Sequence, residues 1–174
     1  AQETPWAPAG FELGADQFEA PFPAPPPLVR RAPSMPALRW REEPTRLIVD
    51  GHAFRLEWDT VRARLRSWQF QGRELLEQGP RLDFWRAPTD NDKGAVRQAW
   101  LAAHLHRLQH RTDGIAVAAE ARDRILVLTA DVCIAPPNGR HAFQCRYTYR
   151  LFGSGDLLLH VQGEPRLQPL DQNA

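Results

Sequence analysis

The sequence is short of lysine, of cysteine and of long apolar runs, and each shortage excludes something. Lys93 is the only lysine, so arginine supplies nearly all of the 22 basic residues, and 21 acidic residues bring the formal net charge to +1. A nucleic-acid binder relies on a basic excess, which is missing here. Acids interleave with the arginines throughout, so the arginine bias reads as GC-rich coding rather than as a phosphate-reading surface. No apolar run approaches the roughly 20 residues that a membrane span requires. Neither nucleic acid nor membrane is therefore an expected partner. The two cysteines, Cys133 and Cys145, do not make a disulfide framework. If residues 124–134 and 141–151 pair as a hairpin, the thiols fall about three ladder positions out of register. Buried free thiols are expected. The opening "AQETPW" has no initiator Met and no signal-peptide apolar region, which predicts a piece of a longer polypeptide with a cytoplasmic location.

Proline is abundant but unevenly spread. "APFPAPPP", residues 20–27, cannot donate to a backbone ladder and favours extended polyproline II, so residues 20–45 read as a stiff linker. Before it, "GFELGADQFEAP" can supply one short strand over about residues 10–19, which cannot bury itself without a neighbour.

From Arg46 the texture becomes that of strands. In "HAFRLEWD", Phe54, Leu56 and Trp58 share one face; in "VRARLRSWQF", Val61, Ala63 and Leu65 share another. Turn signals separate the runs at Asp50-Gly51, Asp59-Thr60 and Gln71-Gly72. "DRILVLTADVCI" and "AFQCRYTYRLF" repeat the pattern, and "GSGD" marks a tight turn before "LLLHVQG". Repeated hairpins with little helix predict an antiparallel all-β sandwich. One segment breaks the rhythm: "GAVRQAWLAAHLHRLQHR" predicts a short helix near 95–104 running into a strand, with Asp90 and Asp92 as candidate caps.

The densest chemistry lies in "RLDFWRAPTDNDKG", residues 81–94. As a calcium loop its spacing fails, because glycine falls fifth and the twelfth position, counted from Asp90, is Leu101. As a glycosidase pair, two carboxyls must face one bond, about 5–5.5 Å apart for retention or roughly 6.5–9.5 Å for inversion. Aspartates two apart on a turn rarely converge so. Thr89, Asp90, Asn91 and Asp92 read locally as capping and turn residues. His104, His106 and His110 invite a zinc reading, but no cysteine or carboxylate lies at a useful offset, so no metal site is assigned. "FGSGD" lacks the nucleophile-elbow frame. Trp58, Trp68, Trp85 and Trp100 can stack on a sugar's apolar face, although tryptophans in a sandwich more often belong to its core.

The run "FWRAPTDNDKG" resembles the signature near the start of the large β-sandwich of glycoside hydrolase family 2 β-galactosidases, matching its Arg-Ala-Pro-x-Asp-Asn-Asp-x-Gly core throughout. "FRLEWDTVRARLRSWQFQGRELLEQGPRLDFWRAP" is similar to that domain's opening hairpins, "AFQCRYTYRLFGSGDLLLHV" to its next long hairpin, and "TPWAPAGFELGADQF" to the close of the preceding immunoglobulin-like domain. The resemblance implies three parts: residues 1–19 as the last strand of the immunoglobulin-like domain, 20–45 as linker, and 46–174 as the first part of a supersandwich related to galactose mutarotases. It implies that the catalytic glutamates of a retaining mechanism, and the Mg and Na sites, lie on a separate TIM-barrel domain, leaving this chain without catalytic residues or cofactors. The chain's partners would be the rest of the enzyme, above all that barrel, and its β-galactoside substrate such as lactose. Arg86, Asp90, Asn91 and Asp92 would shape a lip of the active site with Gly94 as hinge, and Trp85 and Trp100 would offer sugar-stacking faces. Because "AVRQAW" runs straight from Gly94 into the helix, a fixed lip is expected rather than a swinging lid. An incomplete sandwich would expose sheet edges through which copies can associate as a homo-oligomer. Two other readings stay open: a free-standing carbohydrate-binding module, and a mutarotase-like epimerase, which would need a paired base and acid that the sequence does not supply.

Overall fold

The computed structural model describes residues 3–12, 14–18, 32–137 and 141–167. Two antiparallel meanders enclose one core. The first sheet takes β1 (Arg39–Glu43), β2 (Arg46–Asp50), β3 (Phe54–Asp59), β4 (Arg64–Phe70) and β5 (Arg73–Glu74) in chain order. The second takes β6 (Gln109–Glu120), β7 (Ile125–Ala135), β8 (His141–Phe152) and β9 (Leu157–Leu167), also in chain order. In chain order α1 (Ala95–Ala102) falls between β5 and β6, and it is the short helix expected near 95–104. The protein is thus an all-β antiparallel sandwich with one short helix. None of the helices among the described residues is long and apolar enough to cross a membrane.

Alternation of apolar and polar residues sets which face of each strand turns inward. In β3, Phe54, Leu56 and Trp58 are buried on one face as expected. In β7 the even positions Leu126, Leu128, Ala130, Val132 and Ile134 are buried, and in β8 Cys145, Tyr147, Tyr149 and Leu151 answer them. The two sheets meet where Trp58 stands edge-on to Tyr149, with ring centroids 6.0 Å apart. Burial pushes the Tyr149 hydroxyl up to about 12, so it stays neutral at working pH.

The outer face of the first sheet is a lattice of charge. Arg41, Arg46 and Arg55 bridge Glu43, Asp50 and Glu57 within and across neighbouring strands. Ile48 lies beneath this lattice, opposite Arg41 and Glu57 in the ladders, and is fully buried. Long arginine stems can cover an apolar residue while keeping their heads in water.

Three expectations are corrected. Val61 does not share an inner face with Ala63 and Leu65; it is 59% exposed, because residues 60–63 form a turn. The Asp59 carboxylate accepts hydrogen bonds from the Val61 and Arg62 N–H groups at 2.9 and 2.8 Å and wins that segment from the ladder. The first strand begins at Arg39, inside the stretch expected to be linker. Residues leading into it are held by the Leu38 N–H donating to the Asp123 carbonyl at 2.7 Å. No strand forms among the described residues of 10–19; a bridge between Thr4 and Ala7 is the pairing seen near that end, as expected where a strand lacks a partner. Residues 19–31, which hold the "APFPAPPP" tract, lie outside the described residues. Finally, Cys145 pairs with Val132 and Cys133 with Gln144. The thiols are one ladder position out of register, on opposite faces of the sheet, and both are free.

The segment after β5 carries the chain from the core to the candidate site. Leu76, Leu82 and Phe84 pack against the core, the Leu82 N–H donates to the Tyr147 hydroxyl at 2.9 Å, and Phe84 stacks on Phe143 at 3.9 Å between centroids. Its close approach depends on Gly79, where a Cβ would lie 2.0 Å from the Leu65 carbonyl oxygen. Gly79→Ala must push this backbone away. The expected cost is about 1–3 kcal/mol, read as a lowered urea midpoint with an unchanged m-value.

Candidate functional site

The aromatic anchor at Phe84 leaves the next residues turned outward. Trp85 is half-buried, Arg86 exposed, and residues 90–92 form one turn of 3-10 helix. Thr89 and Asp92 close that turn reciprocally. The Asp92 N–H donates to the Thr89 carbonyl at 3.1 Å, while the Thr89 N–H and hydroxyl donate to Asp92 Oδ2 at 2.8 and 2.9 Å. This is a capping box with aspartate as the reaching residue.

Asp92 is also the anchor for Arg86. The guanidinium grips the carboxylate through both terminal nitrogens, Nη2 lying 2.8 Å from Oδ1 and Nη1 bonding Oδ2. Such bidentate pairs fix geometry as well as charge. Asp92 is only 8% exposed. The Arg86 guanidinium first, and then the Thr89 N–H, pull its carboxyl down to about 2 against the opposing effect of burial. Every oxygen of Asp92 is therefore occupied in holding the turn.

The other side of Arg86 meets α1. Its guanidinium carbon sits 5.2 Å from the centre of the Trp100 ring, within cation–π range. Trp100 stands edge-on to Trp85 at 6.2 Å, and Trp85 lies against His106 at 5.4 Å. Asp92, Arg86, Trp100, Trp85 and His106 thus form one continuous chain of contacts. It joins the motif to α1 and to the following 3-10 turn, Leu105–Arg107. The helix buries none of its residues and leaves Val96 and Leu101 exposed, so this chain is what ties it to its surroundings.

Gly94, not Asp90 or Asp92, is the N-cap of α1, with φ 84° and ψ −134°. A Cβ there would meet nothing within 4 Å, so glycine is required by the backbone angle and not by space. Asp90 instead pairs with Lys93 at 2.8 Å with its side chain 92% exposed. Asn91 is exposed as well. The sequence-predicted residues thus divide: Arg86 and Asp92 lock together with Trp85 and Trp100, Gly94 turns the chain, and Asp90 and Asn91 face outward. The two aspartates do not converge as a catalytic pair. The histidines do not converge on one point either: His104 and His106 rings lie 6.2 Å apart, and burial, with Arg81 next, lowers the proton affinity of His110. Among the described residues no group of three or more His, Cys, Asp or Glu side chains is placed to hold a metal ion.

The roles of Tyr147, Phe143 and His106 in this region carried no local signal in the sequence. Tyr147 lies 65 residues from the Leu82 amide it receives, and only the strand register brings them together.

The titration of Asp92 has a checkable consequence. Its folded-state pKa is depressed below the usual ~3.9, so its contribution is complete above that value and is lost as pH falls through about 2. The Trp100 indole resonance is expected to hold its position from neutral pH to about 4 and to move below it. In Arg86→Gln the transition should rise toward the ordinary carboxylate range.

A family model described as β-galactosidase small chain matches residues 50–172. The β-galactosidase of Priestia megaterium is 31% identical over 175 residues, covering 95% of this chain and 15% of the relative. That of Aeromonas hydrophila is 34% identical over 123 residues, covering 62% and 11%. That of Kluyveromyces lactis is 22% identical over 148 residues, covering 84% and 14%. The chain spans about a seventh or less of the length of these relatives.

Proposed function

Because the chain belongs to the β-galactosidase small-chain family, we propose that it is a non-catalytic part of a larger cytoplasmic enzyme that hydrolyses terminal β-galactosides such as lactose. In this reading residues 1–19 close an immunoglobulin-like domain, the proline-rich tract links it onward, and the sandwich supports a catalytic barrel. Residues 85–94 form a lip of the barrel's active site. The catalytic glutamates and the metal ions belong to the barrel.

One observation carries the reading. The carboxylate that the motif buries, Asp92, is wholly engaged with Arg86 and Thr89, so it can brace a surface but cannot also serve as acid, base or nucleophile. The Asp90 carboxylate and Asn91 are left facing outward on that braced turn, where they can meet substrate or a neighbouring domain. The work of the site is positioning: a fixed backbone turn, a cation held over an aromatic ring and a helix start that needs glycine together hold its outer groups in one place.

A free-standing carbohydrate-binding module is the second reading, supported by the half-buried Trp85 and Trp100. Their edge-on arrangement, with Arg86 against Trp100, leaves little flat platform for a sugar ring. Tryptophan fluorescence of the 174-residue chain, titrated with galactose and with lactose to high millimolar concentration, separates the two. A flat response from the folded chain supports the lip. Saturable binding, abolished by Trp100→Ala, overturns it in favour of a self-sufficient module.

A further inference from the structure

Away from the motif, a cleft of about 670 Å³ opens between the start of β4 and the start of β6. Four arginines line it: Arg62, Arg64, Arg81 and Arg111. Two are already neutralised, Arg62 by Asp59 at 3.1 Å and Arg111 by Asp113 at 2.7 Å. Arg64 and Arg81 form no ion pair among the described residues. We propose that this cleft is a binding site for an oxyanion, a carboxylate or phosphate group, gripped by Arg64 and Arg81.

The walls are fixed before any ligand arrives. The Thr112 hydroxyl on β6 donates to the Val61 carbonyl at 2.8 Å, joining the turn before β4 to the opposite sheet. Tyr147 at the base of the cleft accepts the Leu82 N–H, which leaves its phenolic hydrogen available to donate. A guanidinium presents a planar fork of donors that matches carboxylate and phosphate oxygens, and two of them in a partly enclosed cleft are screened less than on open surface.

His110, half-buried in the same cleft, reports the field. Burial lowers its proton affinity first, and the charges of Arg81 and Arg64 lower it further, with Asp83 opposing them. Asp83 is otherwise engaged, accepting the Trp85 N–H at 3.1 Å. Glu77 lines an adjoining hollow with Arg64 but makes no ion pair with it. An anion bound between Arg64 and Arg81 would offset their field at His110 and raise its affinity for a proton. By linkage, binding would tighten as pH falls through the His110 titration.

The test follows the His110 ring proton by NMR in the whole chain, assigned by its loss in His110→Gln. Inorganic phosphate and a capped Glu-Glu dipeptide are titrated separately, with ionic strength held constant by sodium chloride. The expected result is a saturable shift and a His110 midpoint raised by roughly half a pH unit or more. Arg64→Gln and Arg81→Gln should each weaken binding about tenfold while the amide spectrum stays dispersed, and Arg97→Gln on exposed α1 should leave binding unchanged. Saturation by phosphate identifies a free small anion as the occupant. Saturation by the dipeptide alone identifies a carboxylate side chain of an adjoining polypeptide. A linear response to both probes, or equal binding in the Arg64 and Arg81 variants, overturns the site.

Discussion

Trp58→Ala is expected to destabilise the chain by about 3–5 kcal/mol, lowering its thermal midpoint by roughly 10–15 °C. Trp58 is fully buried on β3, in the layer where the two sheets touch through Tyr149. Removing the indole leaves a cavity that neither meander can close, because each is fixed by its own ladder, and the lining loses dispersion contacts that nothing replaces. The contrast is with Trp100→Ala. That ring is half-buried on a helix with no buried residues, so the thermal midpoint should move by about 2 °C or less. Differential scanning calorimetry of the two variants decides the point. Equal losses would mean that the sheets do not share the core described.

Gly94→Pro is expected to melt α1 and leave the sandwich folded. Proline fixes φ near −65°, whereas Gly94 stands at φ 84°. The turn must therefore break either before or after this position. The preceding Lys93 is already extended and tolerates a following proline, so the failure falls on the helix start, where the Gly94 carbonyl accepts the Gln98 N–H at 3.1 Å. An eight-residue helix has no stability of its own to resist this. The expected NMR result is loss of the ring-current shifts joining Trp85 to Trp100, with the amide resonances of β7 and β8 unchanged. Gly94→Ala should give a weaker form of the same result, at a cost of about 1–3 kcal/mol for the strained backbone.

How much of this was legible depended on how local each cause is. The Thr89–Asp92 turn spans four residues, and its chemistry could be read from those residues alone. Alternation placed Phe54, Leu56 and Trp58 inward and fixed the sandwich. The same alternation misled at Val61, because the Asp59 side chain competes for the very N–H groups a ladder would use, and an apolar count does not register that competition. β1 was obscured by Pro36 and Pro44, which bracket it, although Trp40 and the alternating charges around it suit an outer strand. The cysteine register turns on the connection between β7 and β8, which no periodicity specifies. Long-range contacts were the least legible. Arg86 against Trp100 and Tyr147 against Leu82 arise only after the sheets are formed, and the cleft gathers arginines from three separate segments.

On the function proposed above, the Arg86–Asp92 brace holds a lip for chemistry performed by another domain. The most direct measurement is steady-state hydrolysis of a nitrophenyl β-galactoside by the full-length enzyme carrying this chain, comparing the parent with Arg86→Ala and Gly94→Pro. A clear loss in kcat/KM is expected for both variants at an unchanged thermal midpoint, with no turnover by the 174-residue chain alone. Kinetics identical to the parent in both variants would contradict the lip and reduce the segment to scaffolding, and turnover by the isolated chain would contradict its non-catalytic assignment.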